Sequence, residues 1–471
     1  MKTIRSQIFV TVFVCCLASS QNSPAVIPPP DGGYPGFNTA EGQKALFSLT
    51  TGSANTAVGW FSLLSNADGS FNTAVGAGTL LFNIGDQAAF EGIENTAVGT
   101  AALLFNTTGS NNTAVGTAAL LNNTGSSDNT ATGAKALLSN TIGFQNTADG
   151  AFALFGNTEG NANTANGYQA LFSNTTGDFN TANGWIALLS NTTGSFNTAN
   201  GVSALSGNTS GNSNSATGQG ALQQNTIGTQ NTADGAGVLI NNTTGTNNTA
   251  TGFSALFFNT TGSFNTASGL NALFNNTTGS SNTALGDSAG FNVTTADHVI
   301  CIGANVQGEN VSSTCYIGNI FGVTSTGGAG VFVNADGKLG TITSSVRFKE
   351  KIQPMDGASE ALHALKPVTF RYKKEIDPHG KSQFGLVAED VEKVNPELVV
   401  RDKEGKPSSV RYDQVNAMLL NEFLKEHRTV TELKKEISAL TAMVKEQAAR
   451  IEKVSVELEM SKNRSQVAQA P

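Results

Sequence analysis

The stretch Thr341–Ile352, TITSSVRFKEKI, sets the hydroxyls of Ser344 and Ser345 just ahead of Arg347, Lys349 and Lys351. A hydroxyl is a weak nucleophile until a neighbour takes its proton, and a lysine amine does so only where desolvation lowers its pKa. Held together away from water, these residue types support acyl transfer; on an open surface they are solvated side chains. Few other residues carry chemistry. His298 is the only histidine before residue 363, and the repeats described below hold no cluster of Asp, Glu or His. One insertion, Gln87–Gly92 with Glu91 and Glu94 beside it, is the single place in the repeats where a site could lie. No metal-ligand spacing and no cofactor motif is present, so neither a metal nor a cofactor is expected.

The charge around this stretch is uneven. From Ser344 onward the chain holds 22 of its 27 Lys+Arg and 20 of its 35 Asp+Glu, so two kinds of polypeptide meet near residue 344. The net charge of −8 and pI near 5.1 argue against a nucleic-acid partner held through phosphates. At the N-terminus, Lys2 and Arg5 precede the apolar run Ile8 to Leu17 and the small residues Ala18 to Ser20. That order reads as a secretory signal peptide over 1–20, with an uncleaved anchor as the alternative, and no other segment is long enough to span a bilayer. With the signal and its Cys15 and Cys16 removed, Cys301 and Cys315 remain in an oxidising setting where two thiols commonly pair. A bridge closing that loop of about 15 residues would contribute about 3 kcal/mol, and two buried thiols are the alternative.

After a proline-rich spacer over 21–37, the chain repeats every 17 residues, with Asn95 opening the unit NTAVGTAALLFNTTGSN. Units begin at Asn38 and recur to Asn282, in step except between Asn72 and Asn95, where the insertion falls. A fixed short period means a solenoid. The third position is Ala (Ala57, Ala97, Ala131, Ala250) while the fourth drifts through Val, Thr, Asp, Asn and Ser, so neighbours face opposite ways, as on a strand. Leu at the ninth position (Leu103, Leu120, Leu171, Leu256) supplies the filling. Gly near the fifth and fifteenth positions and Asn near the twelfth are read as turn residues that accept left-handed backbone angles. The expectation is a parallel β-solenoid of about fifteen coils over 38–298, stacked at about 4.8 Å. The Thr row at the second position (Thr56, Thr96, Thr181) raises ice binding as a reading, but Thr is an ordinary strand former and the row beside it varies. Asn-x-Thr triplets such as Asn106-Thr107-Thr108 match glycosylation acceptors, although their phase with the repeat favours turn chemistry.

From Val299 to 343, short apolar alternations broken by Gly and Asn-Ala-Asp-Gly predict a small β-rich neck with hairpin turns. Beyond it the pattern predicts a helix over Gly357–Leu365, strands over Val368–Lys374 and Gln383–Val387, and a short helix stopped by Pro396. A hairpin over Leu398–Tyr412 turns at Glu404-Gly405. A long helix then carries Val430, Leu433, Ile437, Leu440, Val444, Ile451, Val454 and Leu458 at heptad spacing, with Gln447 the polar member. That is the pattern of a coiled coil over 425–460, followed by a disordered tail over 461–471.

Two resemblances bear on function. The repeats are similar to the head repeats of trimeric adhesins, whose NTAxG-like coils form β-rolls associated in threes; those heads usually have a shorter period, and this chain lacks their C-terminal membrane barrel. The blocks SSVRFKEKI, ALKPVTFRYK, FGLVAEDVEKVNPELV and VRYDQVNAMLLNEFLKE, in that order between Ser344 and the coiled coil, resemble the intramolecular chaperone of endosialidase tailspikes, phage tail fibres and myelin regulatory factor, serine peptidase family seventy-four. The resemblance implies a domain over 344–424 that trimerises the fibre ahead of it and then releases itself. By the same motif Ser344 is the implied nucleophile, Lys349 its base, Thr343–Ser344 the bond cut, and Arg347 an orienting or trimer-contact residue. The chain departs from the family at Ser345, where many members carry Asp, and at Glu389, where Gln is frequent.

The resulting expectation is a secreted or cell-surface homotrimeric fibre that touches a glycan or protein, with autoproteolysis as its one enzymatic act. A non-cleaving trimerisation cap on a glycan-acting or ice-binding solenoid is the alternative.

Overall fold

The computed structural model describes residues 35–323 and 325–467. The signal-peptide reading of 1–20 and most of the spacer lie outside the described residues. The chain divides into two compact units, one running to Val323 and one from Thr324.

In the first unit every coil begins with a three-residue strand, from β1 (Thr39–Glu41) to β17 (Cys315–Ile317), and all belong to one 17-stranded parallel sheet. The register is like on like: Thr181 pairs Thr198, Ala182 pairs Ala199 and Asn183 pairs Asn200. At about 4.8 Å per rung the stack is roughly 80 Å long. Two rungs, β16 (Ile300–Ile302) and β17, extend it past the expected end at residue 298, because Cys301 and Tyr316 take over the place of the inward Ala. Alternation fell as expected. Ala182, Ala187 and Leu188 of one coil are fully buried, and each such Leu contributes about 1.5–3 kcal/mol on leaving water.

The corners differ from the sequence expectation. Gly at the fifth position is left-handed (Gly184, φ 137°), but Gly at the fifteenth and Asn at the twelfth are not. Left-handed backbone instead falls on ordinary residues at the seventh, ninth and seventeenth positions, as in Ile186, Leu188 and Phe179. Gly177, at a fifteenth position, is needed for space: a Cβ there would lie 2.3 Å from the Gly194 carbonyl oxygen of the next coil.

Asn at the first and twelfth positions forms two buried ladders. The Asn180 backbone N–H donates to Asn163 Oδ1 at 3.0 Å and its Nδ2 donates to Gly194 O at 2.8 Å. Asn191 Nδ2 donates to Asn174 Oδ1 at 2.7 Å and to Gly194 O at 2.8 Å. Among the described residues no buried side-chain polar atom lacks a partner. Asn106 and Asn191, first residues of Asn-x-Thr triplets, are fully buried in the second ladder, which leaves no room for a glycan on them. The insertion forms a small excursion closed by mutual backbone hydrogen bonds between Asp86 and Glu91 (2.8 and 3.0 Å), and Thr73 still pairs Thr96 across it.

In the second unit, β18 (Val331–Val333) and β19 (Leu339–Thr341) form a hairpin whose turn is tied by Asn334 Oδ1. The expected helix is a 3₁₀ helix, Asp356–Ala364. β20 (Val368–Phe370) pairs antiparallel with β21 (Gln383–Gly385), shorter than read because the flanking residues leave the ladder. A helix, Ala388–Val394, and a 3₁₀ turn, Pro396–Leu398, lead to the hairpin of β22 (Val399–Arg401) and β23 (Pro407–Val410). The C-terminal helix runs from Tyr412 to Val467, so residues 461–467 of the expected disordered tail are helical, and 468–471 lie outside the described residues. A small core of Val391, Leu398, Val399, Val410, Val415 and Met418 joins these pieces. None of the described helices is long and apolar enough to cross a membrane.

Candidate functional site

The strand β19 ends at Thr341, and Thr343–Lys349 follows as an extended segment with one 3₁₀ turn, Val346–Phe348. Ser345 opens that turn, its carbonyl accepting from the Phe348 N–H at 3.0 Å, and Lys349 closes it through its N–H to the Val346 carbonyl at 3.1 Å. The turn shortens the separation along the chain between Ser344 and Lys349. Both residues are exposed, and among the described residues neither Ser344 Oγ nor Lys349 Nζ makes a hydrogen bond. The Arg347 guanidinium lies 4.8 Å from the Phe348 ring centre, a cation–π contact rather than an ion pair.

The flank of this segment is apolar and open: Val346, Phe348 and Ile352 are 70, 59 and 62 % exposed. A single copy therefore holds the nucleophile and base candidates in water. Covering the three apolar side chains would also remove water from around Lys349.

A second group was not anticipated from the sequence. Ser359, fully buried, donates to Glu422 Oε1 at 2.5 Å and accepts from Asn421 Nδ2 at 2.6 Å. Lys425 Nζ lies 2.7 Å from Glu422 Oε1, and His363 Nε2 lies 3.2 Å from Glu422 Oε2. These bonds clasp the 3₁₀ helix Asp356–Ala364 to the C-terminal helix. The hydrogen bonds from Lys425, Ser359 and His363 together hold the Glu422 carboxyl down at about 2. Ser359 is no nucleophile candidate, since it is fully buried and the one base facing it is the Glu422 carboxylate, too weak at about 2 to take its proton. The signal that could have found this clasp is the block LLNEFLKE, whose Asn421, Glu422 and Lys425 recur at helical spacing on one face. Nearby, the Leu386 N–H donates to the Tyr412 hydroxyl at 3.0 Å, and a Cβ at Gly385 would meet that hydroxyl at 2.8 Å.

The remaining sequence candidates are apart from this site. Cys301 is buried and Cys315 exposed, and both thiols are free. The bridge is not made because Cys301 pairs with Tyr316 and Cys315 with Ile300, which sends the two thiols to opposite faces of the sheet. Burial pushes the Cys301 thiol up, with smaller effects from the Gly290 backbone and Cys315. Glu91 and Glu94 are exposed, and among the described residues no group of His, Cys, Asp and Glu has the geometry to hold a metal.

A family model described as the chaperone of endosialidase matches residues 344–400, beginning at the serine singled out above. Searches of curated proteins and of solved structures return no match.

Proposed function

We propose that this chain is a secreted, trimeric surface fibre whose C-terminal chaperone drives association and then cuts the Thr343–Ser344 bond, freeing the solenoid. The observation that carries the reading is the start of the family match at Ser344, a few residues after β19 and inside the exposed segment that also holds Lys349. The proteolytic step is intramolecular. Ser344 Oγ attacks the Thr343 carbonyl while Lys349 takes the hydroxyl proton; the Ser344 amine leaves with a proton, and water hydrolyses the ester. Because the bond sits in the same chain, positioning supplies much of the acceleration. The open dyad makes cleavage conditional: association covers Val346, Phe348 and Ile352, dries Lys349 and switches it to a base. The freed fibre meets a glycan or protein at a cell surface.

The test is a denaturing gel of the secreted full-length protein beside Ser344→Ala and Lys349→Ala. The expected outcome is a C-terminal fragment of about 14 kDa from the 48.5 kDa chain in the wild type only. Three intact bands would leave the domain as a non-cleaving cap and strip Ser344 of its catalytic role.

A further inference from the structure

Three successive coils of the solenoid break the composition of their neighbours in the same way. At the fourth position, where other coils carry Glu, Val, Thr, Asp, Ser or Leu, they carry Asn166, Asn183 and Asn200, on the outward side of the strands. Two residues later they carry Tyr168, Trp185 and Val202, which are 45, 52 and 43 % exposed. The coil-to-coil hydrogen bonds hold these rows in step: the Ile186 N–H donates to the Tyr168 carbonyl and the Ser203 N–H to the Trp185 carbonyl, each at 3.0 Å.

The fold uses these rows only in part, Tyr168 meeting the Phe152 ring edge-on at 6.1 Å between centres. Asn183 Nδ2 donates to Asn200 Oδ1 at 2.9 Å, which leaves Asn183 Oδ1 as acceptor and Asn200 Nδ2 as donor facing solvent. Among the described residues no ring packs against Trp185, whereas the other tryptophan, Trp60, stacks on Phe61 at 4.2 Å. Exposed rings beside amides that offer both a donor and an acceptor suit a ligand with apolar faces and hydroxyl edges. The rungs repeat at about 4.8 Å, so the ligand that profits from all three is itself a linear repeat. It is also uncharged: between Asn38 and Val299 the basic side chains are Lys44, Lys135 and His298, all outside these coils.

We propose that the Asn166–Asn183–Asn200 and Tyr168–Trp185–Val202 rows form a binding platform for a neutral, extended glycan, its sugar faces stacked on the rings and its hydroxyls bonded to the amides. The platform narrows the partner named above to one class, and its test does not depend on cleavage.

The experiment uses the full chain carrying Trp60→Phe, so that Trp185 is the sole indole, titrated with cellohexaose, xylohexaose, chitohexaose and, as the anionic comparison, hexagalacturonate. A saturable change in Trp185 emission with a neutral hexaose is expected and none with hexagalacturonate. Tyr168→Ala weakens it by about ten-fold and Asn183→Ala by several-fold. No response to any neutral hexaose overturns the proposal, as does binding of the anion alone. So does a Trp185 shielded from acrylamide in the unliganded protein, which would mean that another copy covers this face.

Discussion

Glu422 shows how a single carboxylate ties the second unit together. Lys425, Ser359 and His363 all favour its ionised form and hold it at about 2, against an ordinary 4.5. A carboxyl whose folded pKa is depressed contributes stability that is complete above its unfolded value and fades as pH falls toward the folded one. The clasp is therefore at full strength above about pH 5 and is lost progressively between about 4.5 and 2. Calorimetry of the chain from pH 7 to 3 should show the transition of the second unit falling in midpoint across that window. The fall should be shallower in Glu422→Gln, which starts lower because Ser359, His363 and Lys425 lose their charged partner. Equal slopes would place the acid sensitivity elsewhere, for instance at Asp390, which Lys393 holds below the usual carboxylate range. At this scale the sequence was legible where order along the chain matters, as in the ordered block that the family match covers from Ser344 on. It was silent where residues about sixty apart converge, as Ser359 and Glu422 do.

The coil was legible as an element because its period is strict and its inward Ala and Leu alternate with tolerant positions. What the sequence hid is why each turn residue is needed. Left-handed backbone at Leu188 costs of order 1 kcal/mol, so no propensity rule anticipates it there, yet burial of that side chain offsets the strain. Glycine at the fifth position answers to two demands at once. Gly184 has φ 137°, and a Cβ on it would stand 2.5 Å from the Gly201 carbonyl oxygen of the next coil. Gly184→Ala must either splay two rungs or strain the backbone, for a loss of about 1–3 kcal/mol. Gly125→Ala is the matched comparison: its backbone is not left-handed, and the nearest atom to a Cβ there is the Thr108 hydroxyl oxygen at 3.1 Å. Hydrogen exchange should report the difference, with amides of the coils around Gly184 losing protection in the first variant and those around Gly125 changing little in the second. Matched losses would mean that the stack yields at any glycine and that close approach is not what selects this one.

The behaviour of the whole chain turns on the part of the C-terminal helix from Val430 on, whose apolar side chains are exposed in one copy. From Val430 to Leu458 its heptad side chains are all at least 46 % exposed, with Ile437 at 60 % and Val444 at 66 %, although each is apolar. An apolar seam of this length, interrupted at Gln447, is the pattern of helices that associate through it. A long parallel solenoid gains correspondingly from partners held nearby, because its non-local pairing forms slowly and leaves edges open meanwhile. If association is also what covers Val346, Phe348 and Ile352, assembly and cleavage must fail together. Ile437→Asp combined with Leu440→Asp puts charges into the seam without touching Ser344, Lys349 or the clasp. Sedimentation of that variant should give a monomer where the Ser344→Ala protein, kept whole, gives a trimer. Its gel should lack the C-terminal fragment. A monomer that still cuts itself would show that one copy dries its own dyad. A trimer that survives both aspartates would move the association surface from the helix to the rest of the chain.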